Sequence, residues 1–320
     1  MVNVFITVDV ELWCDGWTDI DRRFAQAMRK YIYGDTAQGG FGIPYQLNVL
    51  NEHGLDAVFF VEPLFSARFG PQPLADIVGL IQSAGQEVQL HLHTEWVDEA
   101  RTPLLPDVTS KRQHLRYYTL AEQTSLIAQG AGMLERAGAR RPDAFRAGSF
   151  GFNRDTIGAL AANGIPFDSS YNATLFGPDS GVLPGELATA PFACGGVHEY
   201  PMTVFMDGTR KLRHVQLTAC SHGEIEGLLL QAAERGDTDF VILSHGFELL
   251  NKRKDRADKV VLKRFHQLCK FLDRRRDAFT TRGFTGLAAA AAQPQPPLLS
   301  SSLWQTGTRI AEQALRRRYR

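Results

Sequence analysis

Apolar and polar positions along the chain follow two alternating rhythms. Short runs dominated by Val, Ile, Phe and Leu occur at 2–9, 56–62, 86–91, 142–146, 165–169, 198–205 and 239–244. Their length and β-branched or aromatic content predict strands buried on both faces, as in a parallel sheet. Between them apolar residues recur at helical spacing. The sets are Leu47 and Leu50 before Gly54; Leu74, Ile77, Val78 and Ile81 before Gly85; Leu120, Ile127, Ala131 and Leu134 before Gly138; and Leu228, Leu229 and Ala232 before Gly236. A glycine after each is a helix stop. Val260, Val261, Phe265, Leu268 and Leu272 predict one more helix after the last strand. Strands alternating with helices imply an α/β chain of parallel β/α units. About seven such units fit a barrel better than an open sheet, and in either architecture ligand sites form beyond the C-terminal strand ends.

The pattern stops near the C-terminus. Residues 1–287 are expected to form one barrel, 288–297 an Ala/Pro-rich linker, and 298–320 a basic tail. The tail carries Leu303, Trp304, Ile310, Ala311, Ala314 and Leu315 beside Arg316, Arg317, Arg318 and Arg320. It reads either as an amphipathic helix making peripheral membrane contact or as a solvated end.

Composition narrows the class. The 320 residues are 44% hydrophobic and 10% aromatic, as expected of a globular chain. Thirty-five basic residues balance 35 acidic ones, so no overall field draws the chain to nucleic acid. Basic residues do crowd the last third, at Lys252, Arg253, Lys254 and Arg256 and at Arg274 to Arg276, which reads as solvated surface. Cys14, Cys194, Cys220 and Cys269 have no paired spacing and are expected to be reduced. With no signal-like leader and no apolar run near membrane-span length, a cytoplasmic location is the expectation.

Candidate chemistry gathers at the strand ends. Asp9 and Glu11 close the first strand run two residues apart, hence on one face if the strand persists. His91, His93 and Glu95 repeat that spacing in Val88-Gln-Leu-His-Leu-His-Thr-Glu95, and two imidazoles with a carboxylate suit Zn²⁺ or a related divalent ion. Arg146, in Phe145-Arg-Ala-Gly-Ser149, can hold a carboxylate such as Asp9 ionised and oriented. Asp168 to Tyr171 offers an acid, hydroxyls and an aromatic ring that suit sugar recognition, or equally a polar turn. His245 emerges from the apolar strand 239–244, where an imidazole can act as general acid or base.

Taken in order, these stretches resemble the polysaccharide deacetylase (NodB-homology, carbohydrate esterase family 4) superfamily over roughly residues 2–285. The Val-Gln-Leu-His-Leu-His run is most like the branch associated with lipopolysaccharide and capsule biosynthesis. The resemblance implies a distorted (β/α)₇ barrel and metal-dependent removal of N-acetyl groups from an amino sugar in a surface-glycan precursor. It also implies Asp9 as base, His245 as acid, Arg146 as a tether for Asp9, and a backbone N–H near Ser149 as oxyanion donor. Ser149, Asp168 and Tyr171 are the expected substrate-binding residues. The family's first motif usually has two adjacent aspartates, but Val10 holds the second place here and Glu11 must substitute. Its second motif usually has histidines four apart, where this chain has His91 and Glu95 with His93 between. The expected ligands of one divalent ion, Zn²⁺ by preference, are therefore drawn from Glu11, His91, His93 and Glu95. Two other readings remain: a metal-independent C–N hydrolase of a small cyclic amide, and a catalytically inactive glycan-binding barrel.

Overall fold

The computed structural model describes residues 1–108, 110–289 and 294–318. In chain order the elements are β1 (Val2–Val10), α1 (Ile20–Ala27), β2 (Asp35–Thr36), β3 (Gly39–Gly40), α2 (Ile43–Glu52), β4 (Val58–Val61), α3 (Ser66–Phe69), α4 (Gln72–Ser83), β5 (Glu87–Leu92), α5 (Leu120–Arg136) and β6 (Ala144–Ala147). They continue with α6 (Arg154–Ala162), β7 (Phe167–Asp168), β8 (Phe192–Cys194), β9 (Val197–Glu199), β10 (Val204–Met206), β11 (Leu212–His214), α7 (His222–Arg235), β12 (Asp239–His245), α8 (Lys259–Arg274), β13 (Phe279–Thr281), β14 (Leu299–Ser300) and α9 (Leu303–Arg318). The α/β class expected from the sequence is the one observed. The chain divides into two compact units, 1–57 with 203–283 and 297–320, and 58–202 with 284–296.

In the first unit β1 is nearly all β-branched or aromatic and lies parallel to β12 from Asn3↔Asp239 to Asp9↔His245. It also pairs parallel with β13 over Val2↔Phe279 to Val4↔Thr281. Val4, Phe5, Ile6, Val241, Ile242 and Leu243 are buried, as are Leu47 and Leu50 of α2 and Phe265 and Leu268 of α8. Burying apolar runs on both faces fixes the register, because a one-residue slip would turn every side chain to the wrong face. Helix starts are secured locally. Ser221 and Glu224 form a reciprocal capping box on α7, and Asp258 accepts from Val260 N and Val261 N to cap α8.

In the second unit β4, β5, β6, β7 and β9 run parallel in that order, and β8 closes the edge antiparallel to β9. The register sets His91 beside Arg146 and Asp168 beside Glu199. The strand expected over 198–205 is two strands. Pro201, which lacks an N–H for the ladder, separates β9 from β10. β10 joins a different sheet, antiparallel to β11 and parallel to β14.

The C-terminal segment is not a loose tail in its own unit. β14 pairs with β10, and Arg309 of α9 is only 4% exposed. Its guanidinium donates to Glu224 Oε1 (3.0 Å) and Asp207 Oδ2 (2.7 Å). Glu312 accepts from buried Arg264 at 2.9 Å, and Arg316 donates to Asp258 at 2.7 Å. Leu303, Trp304, Ile310 and Leu315 are exposed instead, so α9 turns its polar stripe inward. The expected linker residues Ala290 to Gln293 and the terminal Arg320 lie outside the described residues. No helix among the described residues is long and apolar enough to cross a membrane.

Candidate functional site

Asp9, Glu11 and His245 come together in the first unit. Parallel register brings Asp9 alongside His245, and Gly246 N donates to the Asp9 carbonyl (2.9 Å), carrying the match one residue past the strand. Glu11 follows the end of β1, yet its carboxylate stays on the same side. One ligand atom from each of the three residues lies within 4.8 Å of the other two. Trp13 Nε1 donates to Glu11 Oε2 (2.9 Å) and orients it. Gln46, fully buried on α2, donates to the carbonyls of His245 (3.3 Å) and Gly246 (2.8 Å), which holds the strand end in place.

His245 Nδ1 shares a 2.8 Å hydrogen bond with Glu248 Oε1, and its Nε2 lies 3.8 Å from Glu11 Oε1. Burial alone would discharge this imidazole. The Glu248 hydrogen bond and the charges of Glu11, Glu248 and Asp9 outweigh burial and raise its pKa to about 9. Glu248 in turn accepts from Gln216 and Thr218. Glu248 was not singled out from the sequence. Its signal was its place three residues after a strand-end histidine.

The second unit contributes the imidazole pair. His91 lies on β5 with Nδ1 hydrogen-bonded to the Arg146 carbonyl (2.8 Å). His93 Nδ1 faces Glu95 Oε2 at 3.3 Å, and the two rings meet edge to face with centroids 4.8 Å apart. A carbonyl or carboxylate on Nδ1 places the proton there and the lone pair on Nε2, the usual state of a metal-ligating histidine. This donor chemistry fits a divalent ion. Glu95 departs from the expected strand alternation, because β5 ends at Leu92 and Thr94–Glu99 is a 3₁₀ turn. The turn directs one Glu95 oxygen onto His93, so in this geometry Glu95 orients an imidazole.

Arg146 is fully buried. It donates from Nε to the Ser169 carbonyl (3.1 Å) and from Nη2 to Ser169 Oγ (3.1 Å), and its guanidinium lies 4.3 Å from the Phe60 ring centroid. The loop after it is strained. Ser149 and Phe150 have φ of 51° and 57°, a region costly for residues with a β-carbon. Gly148 is required there, since a Cβ would sit 2.6 Å from Leu92 O and 2.8 Å from His93 Nδ1.

Asp168 and Tyr171 do not face an open site: both are fully buried. Ser170 donates to Asp168 (2.5 Å), while Glu199 accepts from Tyr171 N (3.0 Å). Asp168 and Glu199 stand in register on neighbouring strands, each with one buried carboxylate oxygen that has no hydrogen-bond partner among the described residues, an arrangement that favours holding a proton between them. Burial raises Asp168 to about 6, and burial with the Asp168 charge raises Glu199 well above the ordinary range. Tyr171 packs against Phe152 and Phe192. These expected substrate contacts are interior because β7 ends at Asp168 and the chain then turns beneath Tyr200, whose carbonyl accepts from Ser169 Oγ. Glu62 is a further buried acid that the sequence reading passed over. It follows β4, accepts from Leu64 N (2.8 Å) and Phe65 N (3.3 Å), and burial raises its pKa to about 8.

No protein-family model matches the chain, and no curated protein matches it. Solved structures do. A protein from Mycobacterium smegmatis, provisionally described as a polysaccharide deacetylase, is 17% identical with a TM-score of 0.54, over 92% of this chain and 95% of that one. A family 4 carbohydrate esterase from Streptomyces lividans, solved with acetate, is 16% identical with a TM-score of 0.46, over 92% and 98%. A family 4 pseudoenzyme from Bacillus anthracis is 11% identical with a TM-score of 0.42, over 87% and 62%. The first of these shows that the chain shares the fold of that Mycobacterium smegmatis protein, in keeping with the α/β barrel class expected from its motifs.

Proposed function

We propose that this chain is a deacetylase that hydrolyses an N-acetyl group on an amino sugar, within a bacterial surface-glycan precursor. The observation that carries the reading is the Asp9–Glu11–His245 cluster, in which a carboxylate stands in register with an imidazole backed by Glu248. In that geometry Asp9 takes the proton of the attacking water. His245, charged at neutral pH, gives a proton to the departing amine. The strained backbone at Ser149 is the candidate donor of an N–H to the oxyanion.

The imidazoles of His91 and His93 are assigned to a divalent cation, Zn²⁺ by preference, with Glu95 as the orienting group and Glu11 as the acidic candidate from the first motif. Such a cation polarises a carbonyl and lowers the pKa of bound water. A cytoplasmic setting beside glycan intermediates completes the reading.

The test is metal analysis of purified protein together with an acetate-release screen over N-acetylated amino-sugar precursors. Stoichiometric metal with acetate release that is lost in Asp9→Asn supports the proposal. Release without metal would favour the metal-independent hydrolase. Glycan binding without release from any precursor would favour the inactive barrel.

A further inference from the structure

The basic residues that follow His245 form a built feature. Beyond β12 the chain folds back as a small hairpin, with Leu250 bridged antiparallel to Ala257 and Asn251 N donating to the Arg256 carbonyl (3.0 Å). Asn251 Nδ2 donates to Asp255 Oδ1 (2.8 Å), Asp255 N donates to Asn251 Oδ1 (3.1 Å), and Lys254 N donates to the Asn251 carbonyl (2.9 Å). At its tip Lys254 adopts φ 55°, a left-handed conformation that a lysine accepts only where its surroundings enforce it.

The surroundings do enforce it. The Lys254 ammonium lies 4.7 Å from the ring centroids of both Tyr31 and Phe247, and Phe247 packs on His245 with centroids 5.4 Å apart. One aromatic ring thus touches both the imidazole assigned as acid and a pinned lysine. A cavity of about 430 Å³ is lined by His245, Phe247, Lys252, Lys254 and, from α9, Arg316. A second cavity of about 430 Å³ shares Lys254 and adds Arg29, Lys30 and Arg253, with Asp35 and Asp255 also on its wall, so cations outnumber acids there. Asp258 neutralises Arg316, and Asp15 neutralises Lys30. Burial and the nearby Lys30 charge depress the Lys254 pKa, so its ammonium gains from an added counter-charge.

We infer that this hairpin binds the phosphate-bearing part of the substrate, with Lys252 and Lys254 gripping a diphosphate ester whose sugar reaches His245. A neutral glycan would give Lys252 and Lys254 no counter-charge, and one carboxylate would satisfy only one of them. Several cations distributed over two adjoining cavities suit a multivalent anion. The inference deepens the deacetylase reading by naming its substrate class, but the binding it invokes is measurable without turnover.

The experiment is calorimetric titration of inorganic diphosphate into the full-length protein, the Lys252→Gln/Lys254→Gln double variant, and Lys263→Gln as a surface-charge control. Loss of two charge-assisted contacts should weaken binding at least tenfold in the double variant, on the order of the cost of such bonds. The control should bind as the wild type does. Absence of binding to the wild type, or equal affinity in the double variant, overturns the inference. A nucleoside diphosphate and phosphatidylcholine vesicles doped with a polyprenyl diphosphate then serve as probes that distinguish a soluble carrier from a lipid-borne diphosphate. Acetate release is read separately, over both uncharged acetylated sugars and diphosphate-linked ones. Diphosphate binding without release sinks only the deacetylase reading, and release without diphosphate binding sinks only this one.

Discussion

Arg309→Met is the sharpest perturbation of the C-terminal helix. Arg309 is the shared partner of two fully buried carboxylates, Asp207 and Glu224. Removing one member of a buried ion pair costs roughly 3–5 kcal/mol, because the remaining charge is left uncompensated. The structure reduces that range. Asp207 keeps Arg213 (2.6 Å), the Thr209 hydroxyl (2.6 Å) and the backbone N–H groups of Thr209 and Lys211, so its charge stays compensated. Glu224 keeps Ser221 on Oε2, but its Oε1 retains only a long contact from Ser301 (3.4 Å). One orphaned carboxylate oxygen places the loss near the lower bound, about 3 kcal/mol, or about 5 °C in Tm for a chain of this size. The assay is urea and thermal unfolding followed by far-UV circular dichroism. Adding Glu224→Gln removes the stranded charge while preserving the cap, so the double variant should recover most of the loss. A loss under about 1 kcal/mol, or no recovery in the double variant, would refute this account of how α9 is held. Truncation after Gln295 should likewise lower Tm, since it deletes β14, Arg309, Glu312 and Arg316 together.

Three further outcomes are expected. Asp9→Asn keeps shape but removes basicity, so turnover should fall about 10²–10⁴-fold with little change in metal content; wild-type rates would dismiss the Asp9–His245 assignment. His91→Ala should abolish stoichiometric metal while the far-UV spectrum is unchanged, and Glu11→Gln run beside it decides whether that carboxylate joins the ligand set; full metal retention in His91→Ala would end the imidazole assignment. The folded-state pKa of Asp168, raised from 3.8 to about 6, means that the unfolded chain releases this proton first; stability therefore falls as pH rises through that window, and Glu199, raised further, extends the fall. Glu199→Gln supplies a permanent N–H donor to Asp168, so its Tm advantage over wild type should grow from pH 4 to pH 7; a constant difference would exclude the shared proton.

Much of this was legible before any coordinates. β1, β5 and β12 match their apolar runs to within a residue or two, because strands buried on both faces leave an uninterrupted signal. The positions of Asp9, Glu11, His91 and His245 at strand ends followed from that. Glu95 departs from the alternation of β5, because the strand ends at Leu92 and the backbone then turns. Glu62, Glu199 and Glu248 escaped notice because a lone acid has no periodicity, and only parallel register or a short turn reveals its partner. The C-terminal helix inverts the ordinary rule that apolar faces are buried. Here a polar stripe led by Arg309 is buried against Asp207 and Glu224, charges that hydrophobic patterning does not register.

The pairing of β1 with β12 has a consequence for how the chain is made. Asn3 bonds to Asp239 across 236 residues, so β1 waits for a strand that leaves the ribosome much later. At ~5–20 residues per second, that delay is roughly 10–50 s. Throughout it, an apolar strand ending in two acids has neither its β12 nor its β13 neighbour. Asp9 and Glu11 sit at the tip of that waiting strand, where charge opposes edge-to-edge association with other nascent chains. Neutralising both would therefore be expected to lower soluble yield during synthesis, quite apart from any effect on chemistry in the finished protein.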